Sequence, residues 1–300
     1  MQVQPVARAR ATPRWSLRLR VTPYLFLAPY LLAYAVFWAW PIVYSFYLSL
    51  VNTRVHPWRW APSVNWSRLV NDPFFWEALR NTLVILVIQV PIMLALALAL
   101  AVALNSPLLK LKGFYRFAFF APVVVGAVPY SAVFRLLFNT EFGAVNYALS
   151  LLGLGPVDWL FRAGPAMVVI IVALTWRWTG YNAIILLAGL QAIPEELYEA
   201  ASIDGATGLQ KFGHVTLPLI RPVLLFCLVL SIIGTMQLFT EPWLITMGGP
   251  GMATTTLGVY LYRQGFQLFN FGYASSIAYS VALLTAIFSL IQIRMFGRQA

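Results

Sequence analysis

Two sets of charged residues in this sequence could do chemistry. Glu195, Glu196, Glu199 and Asp204 crowd four of the nine acidic side chains into ten positions of one short polar segment. Arg177 and Glu241, by contrast, stand inside long apolar runs, where an ionised group costs at least a few kcal/mol unless it meets water, a partner or a ligand. Glu241 is the only acidic residue within such a run and is therefore the obvious counter-ion for Arg177. Three roles stay open for the two: a structural ion pair, the polar lining of a path, or snorkelling toward an interface. Catalysis has little to build on. No Ser, His and Asp constellation and no pair of carboxylates within an apolar run is present. Cys227 lies in an apolar run as a small packing residue, which leaves no disulfide framework and no thiolate cluster for a metal.

The elements that must position these residues follow from composition. The 300 residues are 61% hydrophobic and 10% charged, so a soluble core could not hide the apolar side chains without leaving large exposed patches. The mean hydropathy of +0.78 agrees with an all-α polytopic membrane protein. The net charge of +11 is scattered between apolar runs rather than massed on one domain, which argues against a nucleic-acid partner. A crossing needs about 20 residues, and six stretches are long enough: 23–50, 81–104, 114–138, 165–190, 223–245 and 272–296. Prolines 29, 41, 91, 122 and 129 fall inside them, so kinked spans are expected.

A basic segment, residues 1–22, precedes the membrane domain of residues 23–300. Ala33-Tyr34-Ala35 resembles a signal-peptidase site, but the apolar run continues well past it, so the first span is read as uncleaved. Six spans put both termini on one side. Twelve basic residues fall there (Arg8, Arg10, Arg14, Arg18, Arg20, Lys110, Lys112, Arg116, Lys211, Arg221, Arg294 and Arg298) against seven opposite (Arg54, Arg59, Arg68, Arg80, Arg135, Arg162 and Arg263). The positive-inside rule makes the richer side, and with it the loop 191–221, cytoplasmic. His56 and His214 then lie on opposite sides of the membrane and cannot share a metal.

Within that loop, Pro194 suits a first helical position, Glu195 and Glu196 follow where the helix dipole favours negative charge, and Gly205 is placed to end the helix. Thr207 and Gln210 have capping-box spacing and start a second helix, with Leu209, Phe212 and Thr216 along one face and a stop expected at Pro218. The pair could be a structural hairpin or a docking element. Interfacial anchors are usually basic, whereas this first helix is acidic and small-sided at Ala200 and Ala201.

Glu199-Ala200-Ala201, with Gly205, Val215 and Leu217-Pro218 at their spacings, resembles the EAA loop of permease subunits in binding-protein-dependent ABC importers. Val215 replaces the usual isoleucine and keeps its β-branched shape. The stretches "NDPFFWEALRNTLVI", "LAGLQAIPEELYEAASIDGA" and "GGPGMATTTLGVYLYRQGF" are similar to the carbohydrate-uptake branch, so the resemblance covers nearly the whole chain. It implies a type I permease fold with six spans and a prokaryotic cell-membrane location. In such a fold Glu199, Ala200, Ala201, Asp204, Gly205, Val215, Leu217 and Pro218 form a coupling helix seated in an ATPase subunit. Implied partners are a second permease, two cytoplasmic ATPases carrying ATP and Mg, and an external sugar-binding protein. This chain should carry no cofactor of its own. Lys110, Lys112 and Lys211 are its only lysines, and none precedes Ser or Thr as a P-loop requires.

Likeness to the maltose-type permeases carries a substrate role onto Trp178, Thr179, Gly180, Ser231, Gly234, Thr235 and Leu238. That type has asparagines where Thr235 and Leu238 stand, so the particular sugar does not transfer. Arg177, Tyr181, Asn182, Gln237 and Glu241, with Trp176 nearby, add the aromatic faces and polar groups that a sugar path needs. Gly248-Gly249-Pro250 reads as a turn after the fifth span; the resemblance implies that this loop faces the binding protein. A different class stays possible on the residues alone: an ion-coupled secondary transporter that uses Arg177 and Glu241.

Overall fold

The computed structural model describes residues 15–296, with side chains over 22–294. The basic positions 8, 10, 14, 18, 20 and 298 lie outside the described side chains. Helix α1 (Trp15–Tyr34) passes through a π-helical turn at Ala35–Ala39 into α2 (Trp40–Ser49), forming a first long apolar element, Thr22–Ser49. A two-residue hairpin, β1 (Val51–Asn52) against β2 (Arg59–Trp60), leads to α3 (Val64–Asn71). Helix α4 (Pro73–Asn105) begins upstream of the expected span because Pro73 suits the first turn and Asp72 caps it. The Phe74 N–H donates to Asp72 Oδ1 at 3.0 Å.

The third apolar stretch departs from expectation. It is two helices, α5 (Lys112–Val124) and α6 (Ala127–Leu137), bent by 96° at the break between them. Pro129 has no N–H for the Val125 carbonyl and would clash with it in a continuous helix; Gly126 turns to ψ 147° and starts α6 instead. Helix α7 (Ala144–Leu151) and a loop precede α8 (Ala163–Gln191), which is long and apolar enough to cross a membrane.

Helix α9 (Glu195–Ile203) ends as the sequence suggests: Gly205 takes φ +77°, Ala206 N–H donates to Ala201 O at 2.9 Å and Gly205 N–H to Ser202 O at 3.0 Å, a Schellman closure. Thr207 and Gln210 form the capping box of α10 (Gly208–Lys211). The expected stop at Pro218 does not occur. A π-helical turn, Phe212–Thr216, joins α10 to α11 (Leu217–Met236), and the Leu217 N–H reaches back to Phe212 O. That wide turn lets the chain run through Pro218, at the start of α11, without a break. Leu209 is also not on the inward face with buried Thr216; it is 83% exposed, at the open end of the hairpin.

The fifth stretch is broken as well. After α11 the chain leaves helical geometry at Gln237–Phe239 and resumes as α12 (Thr240–Thr246), so Glu241 sits on a separate short helix. Helix α13 (Leu257–Tyr262), a π-helical turn at Arg263–Gln267 and α14 (Phe271–Phe296) complete the described chain. Among the described residues, five helical elements are long and apolar enough to cross a membrane, or six if the bent α5–α6 pair counts as one.

The core sits where α4, α8 and α11 meet, around Met93, Ala97, Leu186, Ile220 and buried Cys227. Small residues permit the approach of the backbones: a Cβ on Gly180 would stand 1.8 Å from the Phe119 carbonyl oxygen of α5. A second cluster joins α3, α4, α13 and α14. Above it a polar network closes that end of the bundle. Buried Asp72, besides capping α4, accepts hydrogen bonds from Tyr273 Oη at 2.5 Å and from Tyr260 Oη. Burial and the Asp72 contact push the Tyr260 phenol up to about 12. The Arg68 guanidinium lies 3.8 Å from the Tyr273 ring centroid, and its own pKa is lowered chiefly by burial. Such a network locks the loops to α4 and α14.

The Gly180 contact predicts a position-specific cost. Gly180→Ala should force α5 from α8, destabilising the detergent-solubilised protein by about 3 kcal/mol, the upper part of the usual overpacking range. Gly164→Ala on the same helix meets nothing within 4 Å and should be neutral or slightly stabilising. Thermal unfolding midpoints of the two variants check this.

Candidate functional site

The two helix breaks face one cavity. Ala127, at the start of α6, and Gln237, Leu238, Phe239 and Thr240, at the α11–α12 break, all line a hollow of about 410 Å³ beside α8. Ligand pockets usually span roughly 300–1,000 Å³. The broken strand of backbone is held by neighbours: Thr256 Oγ1 donates to Leu238 O at 2.5 Å, and Leu238 N–H donates to Thr235 O at 3.2 Å. Gly258 makes this possible, because a Cβ there would lie 2.6 Å from the Leu238 carbonyl oxygen.

From α8 the cavity receives Arg177, Trp178, Tyr181 and Asn182, and from α11 Ser231, Gly234 and Thr235; Glu241 of α12 completes the set with Gln237 and Leu238. Residues far apart in sequence thus meet at one place. Arg177 and Trp178 sit one residue apart, yet both reach the cavity, and Tyr181 and Asn182 repeat the pair one helical turn on. Trp178 and Tyr181 meet edge to face with centroids 5.7 Å apart. Asn182 donates to Trp178 O at 3.0 Å.

Arg177 Nε and Glu241 Oε1 stand 4.0 Å apart, an ion pair with side chains only 14% and 6% exposed. The guanidinium also lies 4.9 Å from the Tyr130 ring centroid and 5.9 Å from that of Trp178. Pairing and lining, separate alternatives on the sequence, are one arrangement here: the pair is part of the cavity wall. Snorkelling is not seen, because burial of both side chains holds them inside the protein.

Two carried-over residues lie elsewhere. Thr179 points its hydroxyl back to Thr175 O at 2.6 Å, and Gly180 is pressed against the α5 backbone. A rotation of about 100° per residue turns them out of the cavity lining, and Gly180 serves packing against α5. Trp176 likewise stacks on Tyr130, 5.7 Å between centroids, outside the lining. Gln89 and Met93 of α4 line the cavity and were not foreseen. A signal existed for the first: Gln89 is the single polar side chain between Thr82 and Asn105.

The second site is the hairpin of α9 and α10. Glu195, Glu196, Glu199, Ala200, Asp204 and Gly205 are exposed, and no residue of α9 is buried. Apolar Ile203, 87% exposed, and Leu209 project beside the acidic residues, a surface the sequence pattern did not single out. The hairpin is nevertheless tied to its neighbours. Tyr198 Oη and Thr216 Oγ1 are 3.0 Å apart, and Lys211 Nζ donates to Ser202 Oγ at 2.6 Å. Val215 is half-buried, while Leu217 and Pro218 lie outward on the first turn of α11. Both histidines are exposed, and among the described residues no group of three or more His, Cys, Asp or Glu could hold a metal.

Comparison with known proteins decides the family. The sequence model of the binding-protein-dependent transport system inner membrane component matches residues 10–296. The chain belongs to this family. Among relatives of the permease, the lactose transport system permease protein LacF of Rhizobium radiobacter is 42% identical over 91% of this chain and 93% of that protein. The arabinooligosaccharides transport system permease protein AraP of Bacillus subtilis is 34% identical over 98% and 96%. The trehalose/maltose transport system permease protein MalF of Thermococcus litoralis is 32% identical over 91% and 92%.

The fold matches a crystal structure of a bacterial ABC transporter for import of the acidic polysaccharide alginate, with TM-score 0.82 and 24% identity over 95% of this chain and 98% of that one. The chain is therefore a multi-pass, non-catalytic permease subunit of a binding-protein-dependent ABC importer, and ATP hydrolysis belongs to separate subunits. These findings do not favour the secondary-transporter alternative.

Thr235 is 7% exposed in the cavity wall. Replacing it with Leu adds apolar bulk where a ligand would sit and should lower sugar-stimulated ATPase of the assembled transporter about tenfold, a cost of about 1.4 kcal/mol. Complex assembly should be unaffected. The readout is ATPase rate against sugar concentration.

Proposed function

We propose that the cavity between α8, α11 and α12 is the sugar path of this permease and that the α9–α10 hairpin is its coupling element. The observation that carries the first part is the convergence of eleven polar, aromatic and small residues, Arg177 to Glu241 in sequence, on one hollow at two helix breaks. The second rests on an exposed acidic and apolar tip that is braced by the Tyr198–Thr216 and Lys211–Ser202 contacts. A braced tip can transmit a push; a loose one would absorb it.

In this reading the permease pairs with a second, related permease. Two cytoplasmic ATPases hold ATP and Mg and seat Glu199, Ala200, Ala201, Asp204 and Gly205 in a cleft, with Val215, Leu217 and Pro218 at the root of the lever. An external binding protein delivers sugar to the opposite face. Both termini are cytoplasmic, in a prokaryotic cell membrane, as the excess of basic residues on that side supports. ATP binding draws the hairpins together and opens the cavity outward; hydrolysis returns it inward. The α10–π turn–α11 continuity supports this, because displacement of the hairpin is carried directly into the helix that bears Ser231, Gly234 and Thr235. The names of the relatives, for lactose, arabinooligosaccharides and trehalose or maltose, support a small oligosaccharide as cargo.

Two experiments test the proposal. ATPase activity of the reconstituted complex should rise when its binding protein is added with one sugar of a panel. A flat response to every sugar would remove the cavity's assignment. Glu199→Lys combined with Gly205→Pro reverses a tip charge and forbids the positive φ of the Schellman turn. That variant should insert in membranes normally but lose co-purification of the ATPase, whereas intact assembly and transport would sink the coupling role.

A further inference from the structure

The charge balance of the cavity wall carries a conclusion about the cargo, resting on the assignment of this cavity as the sugar path. Among the described residues only one cation and one anion line it, Arg177 and Glu241, and they stand 4.0 Å apart on α8 and α12. Their separation makes each the other's counter-ion, so the wall has no net formal charge. Arg177 has little else to turn to. Arg177 Nε and Nη1 are closed off from solvent with no hydrogen-bond acceptor among the described residues. What further shares the guanidinium charge is aromatic: the faces of Tyr130 and Trp178.

We propose that the Arg177–Glu241 pair is a specificity-determining element that restricts this permease to uncharged saccharides. A carboxylate or sulfonate entering the cavity would have to draw Arg177 away from Glu241, leaving a buried carboxylate without a counter-ion. An ammonium group would do the converse to Arg177. Hydroxyl groups make no such demand, since each both donates and accepts, and they match the amides and hydroxyl of Gln89, Asn182, Gln237 and Ser231 in the same wall. Trp178 adds a flat apolar face for the C–H side of a sugar ring. The consequence sets this cavity apart from one that must accept an acidic polysaccharide, which needs unpaired cations.

Equilibrium binding to the assembled transporter tests this with the binding protein left out, so that only the membrane site selects. The probes are lactose, trehalose and arabinotriose as neutral sugars, digalacturonate as an anion, and lactosamine at a pH where its amine is protonated. At least one neutral probe should bind at least about tenfold more tightly than either charged probe, because each charged probe breaks the buried pair. Glu241→Gln leaves Arg177 unpaired, and the ratio of digalacturonate affinity to neutral-sugar affinity should rise about tenfold; Arg177→Gln should raise the lactosamine ratio in the same way.

A charged probe that binds the unaltered transporter as tightly as the best neutral one overturns the proposal. Ratios that do not move in variants that assemble overturn it too. Where a variant does not assemble, the ratios of the unaltered transporter decide. Binding of none of the five probes would instead count against the cavity as the sugar path, and the charge rule would fall with it.

Discussion

Backbone that leaves a helix at membrane depth has to find hydrogen-bond partners in the protein or in enclosed water, because lipid offers none. This constraint organises the permease. Two of its apolar stretches are broken, at Val125–Gly126 and at Gln237–Phe239, and both breaks turn toward the same hollow beside α8. At the second break, Thr256 takes up the Leu238 carbonyl and Gly258 leaves room for it. Because α11 stops at Met236, Glu241 is carried on the separate helix α12, and the break residues line the cavity. The site exists because the helices stop.

The same logic governs charge. An arginine in an apolar helix is tolerable when something local answers it, and Arg177 is answered by Glu241 and by two aromatic faces. At the opposite extreme, Asp72 is buried yet fully engaged, capping α4 and accepting from two tyrosines beneath Arg68. One network fastens loops to helices at an end of the bundle; the other lines a space between helices. Rigidity in the first and room in the second are what a moving permease needs, since loops that slipped would dissipate motion before it reached the cavity.

Much of the site was legible in one dimension, for reasons that can be named. Arg177 and Glu241 stood out because charge is rare in apolar runs, and the Thr207–Gln210 capping box and Gly205 turn are local chemistry that neighbours cannot easily override. Pro218 misled because its penalty depends on the turn before it, and a π-helical turn at Phe212–Thr216 removed the clash. Gly180 misled for a related reason. Its place between cavity residues implies proximity, but a helix turns about 100° per residue, and only the position of α5 shows which face it occupies. Ile203 passed unnoticed and Leu209 was placed on the wrong face, because single apolar residues on a polar loop acquire meaning only when both are seen to project together.

By itself, then, the sequence determined the class of the molecule, its approximate spans and the capped hairpin, because each rests on composition or on contacts within a few residues; the family rested on motif resemblance along the chain. The tertiary structure alone decided that the third stretch bends by 96°, that Glu241 sits on its own helix within 4.0 Å of Arg177, and that Gln89 and Met93 of α4 share the wall with residues of α8 and α11. The physical reason is that these are agreements between distant backbones. A break is acceptable, and a charge is satisfied, only by what another helix brings to it, and that partner is invisible until the helices are packed.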